Sequence, residues 1–260
     1  MAGQCFSNIP TLLTRRLNAS ETDIAAFCQR WHVEEFALFG SVIRTDFGPE
    51  SDIDVLVVFG PDYKQSAFDK LEMQDELTAL FRRKVDVGEK RLIKNPFSQA
   101  EILQTHRIIY PFERANFVAF AEADAERIRF VRDASALFVM VEALESISDC
   151  LKEHDYERFL EDGIAQSATE LLMSRVGSAA SRLSADFVAA HSEVSWGEAA
   201  EMAAVVSYEV GKSVDVARVW EMAMEYVPEM LGAVKQLLPP LPEGKRAASM
   251  QGTQQGIQAI

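Results

Sequence analysis

The chain has 260 residues, three cysteines and a net charge of −14, and 48% of its residues are hydrophobic. This composition is typical of a soluble globular protein long enough for two domains. The acidity opposes nonspecific binding to nucleic acid, the cysteines lack the spacing of a disulfide framework or zinc site, and no apolar run is long enough to span a bilayer. We therefore expect a cytoplasmic protein with neither membrane nor nucleic-acid partners.

The two halves of the chain differ in charge and in pattern. Residues 1–112 hold 13 Lys and Arg against 16 Asp and Glu, a net charge of −3, whereas residues 113–260 hold 13 against 24, a net charge of −11. Short β-branched and aromatic runs alternate with helical patterns only in the first half. The sequence therefore predicts an α+β protein, with a small mixed-sheet domain at 1–112, an all-α bundle at 113–240 and a mobile tail at 241–260.

In the first half, Ser20 is placed to cap a helix that carries Ile24 and Phe27. The following elements are predicted as a strand at 35–39, a strand at 53–59, a helix at 66–82 and a strand at 84–87. In the second half, apolar residues keep helical spacing from Leu137 to Leu151. Further helices are predicted at 160–184, 196–210 and 216–238.

The first candidate for chemistry is Asp52-Ile53-Asp54, at the start of the second strand. Residues two apart in a strand project to the same face, so Asp52 and Asp54 present neighbouring carboxylates while Ile53, Val55 and Val57 face the core. Carboxylates this close repel each other unless a hard divalent cation lies between them. Magnesium is the expected ion.

Gly40-Ser41 closes the first strand ten residues earlier. A residue without a Cβ lets backbone N–H groups approach phosphate oxygens, and a helix that begins after it would add its positive end. We therefore expect Gly40 and Ser41 to hold a triphosphate. Arg44 could pair with the same phosphates, or form an exposed salt bridge with Asp46 or Glu50.

Asp86 is the candidate for a third acid, which a two-metal mechanism requires. It lies between Val85 and Val87 in a short strand, where a charged residue would be costly if buried without a partner. Each part of this pattern alone has an ordinary structural explanation, since Gly-Ser marks many turns and Asp-x-Asp many polar strand edges. The five parts in this order favour a nucleotide site.

The residues Leu38-Phe39-Gly40-Ser41, Arg44, Ser51 to Val57 and Val85-Asp86 resemble the minimal nucleotidyltransferases of the polymerase β superfamily, over roughly residues 20–112. The resemblance implies a short mixed sheet, Asp52, Asp54 and Asp86 as metal ligands, and transfer of a nucleoside monophosphate from a nucleoside triphosphate. ATP is the expected donor, and the acceptor in related modules is a protein hydroxyl.

The second half resembles the helical HEPN proteins of two-gene toxin–antitoxin modules, in stretches such as 165–168, 177–184 and 214–220. The resemblance implies dimer formation through the helices and RNA cleavage by an Arg and a His separated by four to six residues. No histidine of the chain has an arginine at that distance before it. The motif positions fall among Ala203, Ala204 and Val205, and then on Tyr208 or Glu209, so the sequence predicts a helical domain without ribonuclease activity.

The preferred interpretation is a nucleotidyltransferase that moves AMP from ATP to an acceptor, fused to an inactive HEPN-like domain in a toxin–antitoxin-like context. One alternative is an aminoglycoside nucleotidyltransferase, because an acidic cleft would suit a polycationic drug. The other is a regulatory protein that binds ATP without turning it over.

Overall fold

The computed structural model describes residues 13–64, 66, 68–116, 120–206 and 214–242. They divide into two compact units, of which the first comprises the described residues up to Lys94 together with those at 99–124, and the second comprises Asn95–Ser98 together with the described residues from Ala125 onward. The first unit holds a four-stranded sheet, and the described part of the second is helical. The predicted fold class, α+β with a mixed sheet followed by helices, is confirmed.

The sheet consists of β1 (Val33–Phe39), β2 (Ile53–Phe59), β3 (Val85–Glu89) and β4 (Arg107–Tyr110), in the order β3-β2-β1-β4. Strand β1 pairs antiparallel with both β2 and β4, and β2 pairs parallel with β3. Strand β3 is therefore an edge strand, and only β2 separates it from β1.

In the part of the chain that the structure describes, three α-helices accompany the sheet: α1 (Glu21–Arg30), α2 (Asp69–Phe81) and α3 (Pro96–Thr105). Ser20 caps α1 as predicted, and its hydroxyl accepts from the amide of Asp23 in a full capping box. Helix α2 begins three residues after the start of the predicted 66–82, and it ends one residue earlier, at Phe81, because Arg82 adopts a left-handed conformation with φ 52°. Neither α3 nor β4 was predicted from the sequence.

The core of the first unit lies on one face of the sheet. Ile53, Val55 and Val57 of β2 are fully buried there, as their alternation predicts, and they belong to the same apolar cluster as Phe27 of α1 and Leu77 of α2. The alternate residues of β2, beginning with Asp54, project to the opposite face. The core thus fixes the direction in which the candidate catalytic residue points.

The second unit contains six helices in its described residues: α4 (Ala125–Leu151), α5 (Tyr156–Glu161), α6 (Gly163–Ala180), α7 (Ala185–Ala190), α8 (Trp196–Val205) and α9 (Val216–Leu237). The helix predicted at 160–184 is observed with shorter bounds, as α6 at Gly163–Ala180. Asp162 separates it from α5, because its carboxylate accepts from the amides of Ile164 and Ala165 and so begins α6 as a new helix. Of the helix predicted at 196–210, residues 207–210 lie outside the described residues.

Helices α6 and α8 pack closely at Gly177. A Cβ added there would lie 2.4 Å from the Cβ of Ala203 and 2.9 Å from the carbonyl oxygen of Ala199. Glycine is therefore required at this crossing. Among the described helices, we find none with the length and apolar character that a membrane span requires.

Candidate active site

Three residues lie side by side across the sheet at the end of β1. The Cα of Phe39 in β1 pairs with that of Asp54 in β2, and Asp54 pairs in turn with Asp86 in β3. Neighbouring strands are about 4.8 Å apart, so the two aspartates project from adjacent positions on one face. Asp52 lies just before β2, two residues from Asp54. The structure thus brings together the three acids that the sequence singled out.

The electrostatics of Asp54 reflect this arrangement. Burial of its carboxyl is the largest cause, and together with the negative charges of Asp52 and Asp86 it raises the pKa of Asp54 to about 7, although Arg44 and Lys84 oppose the increase. The two nearby cations therefore do not balance the three carboxylates. A site of this kind favours a bound cation, which would restore the charged form of Asp54.

Gly40 lies directly against Asp54. Its φ of 69° is in the left-handed region, and an added Cβ would lie 2.1 Å from Oδ2 of Asp54. Both the backbone conformation and the space therefore require glycine. Gly40 begins a short 3-10 turn, Gly40–Ile43, in place of the helix predicted to begin after it, so no α-helix N-terminus is present here to bind phosphate.

Arg44 follows this turn, and its guanidinium forms a two-pronged salt bridge with Asp46, in which Nε and Nη2 lie 3.0 Å from the two carboxylate oxygens. This is one of the two roles that the sequence left open. The charge of Arg44 nevertheless acts on Asp54, whose pKa it lowers. Its binding to phosphate stays a prediction.

Asp86 is exposed, so the cost of burying an unpaired charge does not apply to it. The prediction that Asp86 binds a metal was conditional on its burial between the two valines. Val85 and Val87 are indeed buried, but Asp86 projects to the opposite face of an edge strand. Its candidate role therefore depends on its position beside Asp54 and on its access to solvent.

Lys84 is a site residue that the sequence analysis missed. Its ammonium lies 3.7 Å from Oδ2 of Asp52, with 80% of the side chain exposed. Because the pair is exposed, it contributes little to stability. The sequence could have indicated it, because Lys84 is two residues before Asp86 and must therefore lie close to the same site.

The described residues contain no group of three or more His, Cys, Asp or Glu side chains already arranged to hold a metal ion. Two surface clefts of the first unit, of about 410 and 390 Å³, include none of the three aspartates. The candidate site is therefore defined by its side chains and by the backbone at Gly40, and neither cleft encloses it.

In the second unit, the positions that correspond to the ribonuclease arginine fall at the end of α8, on Ala203, Ala204 and Val205. Ala203 packs against Gly177 of α6. The positions that correspond to the histidine, Tyr208 and Glu209, lie outside the described residues. Ala203, Ala204 and Val205 have apolar side chains, so none of them can take the role of the ribonuclease arginine.

Comparison with known families agrees with the two-part organisation. Residues 24–110 match the model described as a nucleotidyltransferase domain, and residues 140–237 match the model described as ribonuclease HepT-like. The chain belongs to the nucleotidyltransferase-domain family through its first half, which a HepT-like, HEPN-like helical domain follows.

Two relatives from Methanocaldococcus jannaschii carry the name "Putative protein adenylyltransferase". One, MJ0128, is 38% identical over 76 residues, which cover 28% of this chain and 74% of that protein. The other, MJ1379, is 36% identical over 73 residues, which cover 28% of this chain and 73% of that protein. Both are similar to the nucleotidyltransferase part alone.

A solved structure titled "Crystal structure of the toxin-antitoxin with AMP-PNP" aligns with 44% of this chain and 82% of its own chain, at 16% identity. Its TM-score of 0.31 is too low to bear on the fold or function of this protein.

Proposed function

We propose that the first unit transfers AMP from ATP to a protein hydroxyl and releases pyrophosphate. The observation that carries this proposal is the row of Asp54 and Asp86 beside Asp52, in which burial and like charge raise the pKa of Asp54 to about 7. Three neighbouring carboxylates do not stabilise the fold, but they can bind a hard cation, and the cation can in turn bind the negatively charged triphosphate. The names of the M. jannaschii relatives support AMP as the transferred group and a protein as the acceptor.

Magnesium fits the donor set, which consists of carboxylate oxygens only. Magnesium in nucleotide enzymes is usually held by one or two carboxylates together with phosphate oxygens and water, so a preformed cage of three protein ligands is not required. Asp52 and Asp54 would hold the ion, with Asp86 as the third acid. When bound, the ion would supply positive charge to the triphosphate and so make the α-phosphorus a better electrophile.

The residues of the chain have separate tasks in this reaction. The turn at Gly40 and Ser41 would place backbone N–H groups and a hydroxyl against the phosphates, and the absence of a Cβ at Gly40 leaves room for the Asp54 carboxylate beside them. The oxygen of the acceptor hydroxyl attacks the α-phosphorus while the bond to pyrophosphate breaks. The hydroxyl proton passes to a carboxylate, for which the exposed Asp86 is the accessible group.

The helical unit is assigned no ribonuclease activity in this proposal, because the Arg and His pair is missing from the sequence. A toxin–antitoxin-like context and a homodimer formed through the helices are parts of the same proposal. The HepT-like match supports the toxin–antitoxin-like context.

The test is label transfer from ATP carrying radioactive phosphorus in its α-phosphate, with magnesium and a cell extract as the source of acceptors. We expect a labelled protein band, and no band with Asp52→Ala/Asp54→Ala or in the presence of EDTA. Label on an added aminoglycoside but not on protein would replace the proposed acceptor with a drug. Binding of ATP without any transfer or pyrophosphate release would support the regulatory alternative and contradict the proposal.

A further inference from the structure

Ten residues, here called the connecting loop (42–51), join the turn at Gly40 and Ser41 to the acids Asp52 and Asp54. Their backbone is mostly irregular, with one isolated bridge at which the amide of Thr45 donates to the carbonyl of Ala121. The loop begins directly after the proposed phosphate-binding residues and ends directly before the proposed metal-binding carboxylates. The register of β1 and β2 fixes the contact of Gly40 with Asp54, and whatever holds the loop holds the backbone that adjoins Ser41 and Asp52.

Arg16 contacts the first part of the connecting loop. One nitrogen of its guanidinium, Nη1, donates to the carbonyl oxygens of Val42 and Arg44, at 2.6 and 2.7 Å. The centre of the guanidinium lies 3.5 Å from the ring centroid of Phe120 and 5.2 Å from that of Phe47. Arg16 belongs to a single π-helical turn, Leu13–Leu17, before the region that matches the nucleotidyltransferase family.

Arg83 contacts the last part of the loop in the same manner. Its Nη1 donates to the carbonyl oxygens of Gly48 and Ser51, at 2.7 and 3.0 Å, and its guanidinium lies 4.8 Å from the ring centroid of Phe47. The two arginines thus bind four loop carbonyls and both contact the ring of Phe47. Hydrogen bonds from a charged donor and contacts of a cation with an aromatic face are both favourable, more so when partly shielded from water.

We propose that Arg16 and Arg83, with the ring of Phe47 as their shared contact, act as positioning residues that hold the connecting loop for nucleotide binding. This inference rests on the proposed function. Neither arginine is placed to react with substrate. Each acts through the loop, because a carbonyl that loses its donor frees the backbone on either side, which includes Ser41 at one end and Asp52 at the other.

The alternative is a purely structural role, in which the arginines stabilise the first unit as a whole and have no particular effect on nucleotide binding. The two roles differ in what a substitution changes. A positioning role predicts a local change in the loop and weaker binding of ATP in a protein that stays folded. A structural role predicts a general loss of stability, with a normal KM for ATP in the fraction that remains folded.

The test compares Arg16→Gln and Arg83→Gln with Arg16→Lys and with Arg30→Gln as a matched control. Arg30 is a surface arginine of α1, 63% exposed, that pairs with Glu76 away from the loop. Hydrogen exchange of the free protein is followed at the amides of Arg44, Thr45 and Ser51, which donate to Ser41, Ala121 and Gly48. The KM for ATP and kcat are measured on the same preparations.

We expect exchange at these amides and the KM for ATP each to rise about tenfold in Arg16→Gln and Arg83→Gln, while kcat changes less than about threefold. Arg16→Lys should recover part of the loss, since an ammonium keeps the charge but can replace only some of the paired contacts. Unchanged exchange in the loop, or an unchanged KM in a folded variant, would overturn the proposal. If the wild-type protein transfers nothing, the proposed function fails, and the exchange measurement still decides whether the arginines hold the loop.

Discussion

The carboxylate of Asp54 occupies the space in which a side chain on Gly40 would begin. A Cβ on Gly40 would lie 2.1 Å from Oδ2 of Asp54, which no real Cβ contact permits. The glycine of the proposed phosphate-binding turn and the central acid of the proposed metal site are therefore one packed pair. A side chain added at Gly40 must therefore displace either the Asp54 carboxylate or the turn.

Substitution of Gly40 by alanine should accordingly remove activity without unfolding the protein. The added methyl group either displaces the Asp54 carboxylate or forces the turn away from its φ of 69°. We expect the rate of label transfer from ATP to fall by about 100-fold or more, since a displacement of about 1 Å at a reacting group can cost that much.

The control is Gly48→Ala in the connecting loop. An added Cβ there meets nothing nearer than 4.0 Å, and the residue does not have a positive φ. Gly48→Ala should keep the wild-type rate within about threefold. Equal rates in the two variants would show that contact with Asp54 is not what requires glycine at position 40.

The ionisation of Asp54 offers a second prediction, in the metal-free protein. Carbon-13 NMR of the aspartate carboxyl groups should give Asp54 a midpoint at about pH 7, far above the ordinary aspartate value. Asp86→Asn should lower that midpoint, because the charge of Asp86 is one of its causes. Asp62→Asn, at the opposite end of β2, should leave it unchanged. A normal midpoint for Asp54 in the wild-type protein would contradict the electrostatic description of the site.

The same shift has a consequence for stability. The pKa of Asp54 is higher in the folded than in the unfolded state, so the folded protein binds more protons between about pH 4 and pH 7, and the contribution of Asp54 to stability falls as pH rises through that window. Asp54→Asn removes this dependence. Thermal unfolding in EDTA should therefore find the variant more stable than wild type at pH 8, with the difference shrinking towards pH 4.

In the helical unit, two glycine substitutions should have opposite effects. Gly177→Ala places a methyl group against Ala203 and the backbone of Ala199, and overpacking of this kind costs about 1–3 kcal/mol. Gly232→Ala in α9 meets nothing within 4 Å and should gain about 0.5–1 kcal/mol from helix propensity. Urea denaturation of both variants measures the difference. A stabilising Gly177→Ala would contradict the close packing of α6 and α8.

The parts of the fold that the sequence predicted are those with strong local signals. Strand β2 is a run of β-branched and other apolar residues, and α1 has a capping serine at the expected place, so both were found at their observed positions. Helix α3 and the four-residue strand β4 were missed, because their apolar residues form no clear period. The break at Asp162 was missed because an aspartate can lie within a helix or cap one. Only the structure shows that its carboxylate accepts from the amides of the residues that follow.

The candidate site was predictable as a set of residue types but not as a set of contacts. The spacing of Gly40, Asp54 and Asp86 identified them, and strand alternation gave the correct direction for Asp54. The exposure of Asp86 depends on β3 being an edge strand, and the contact of Gly40 with Asp54 depends on the register of β1 and β2. The role of Arg16 could not be predicted, because its hydrogen-bond acceptors are backbone carbonyls, which are present at every residue and leave no pattern in the sequence.

The central claim is that Asp52, Asp54 and Asp86 carry out nucleotidyl transfer. It is tested most directly by intact-mass spectrometry of acceptor proteins after incubation with the protein, ATP and magnesium, beside Asp52→Ala/Asp54→Ala, Asp86→Asn and the control Asp62→Asn. The account predicts a mass increase of one AMP with wild type and Asp62→Asn, and its loss in the other two variants. An AMP adduct that persists in Asp52→Ala/Asp54→Ala would contradict it.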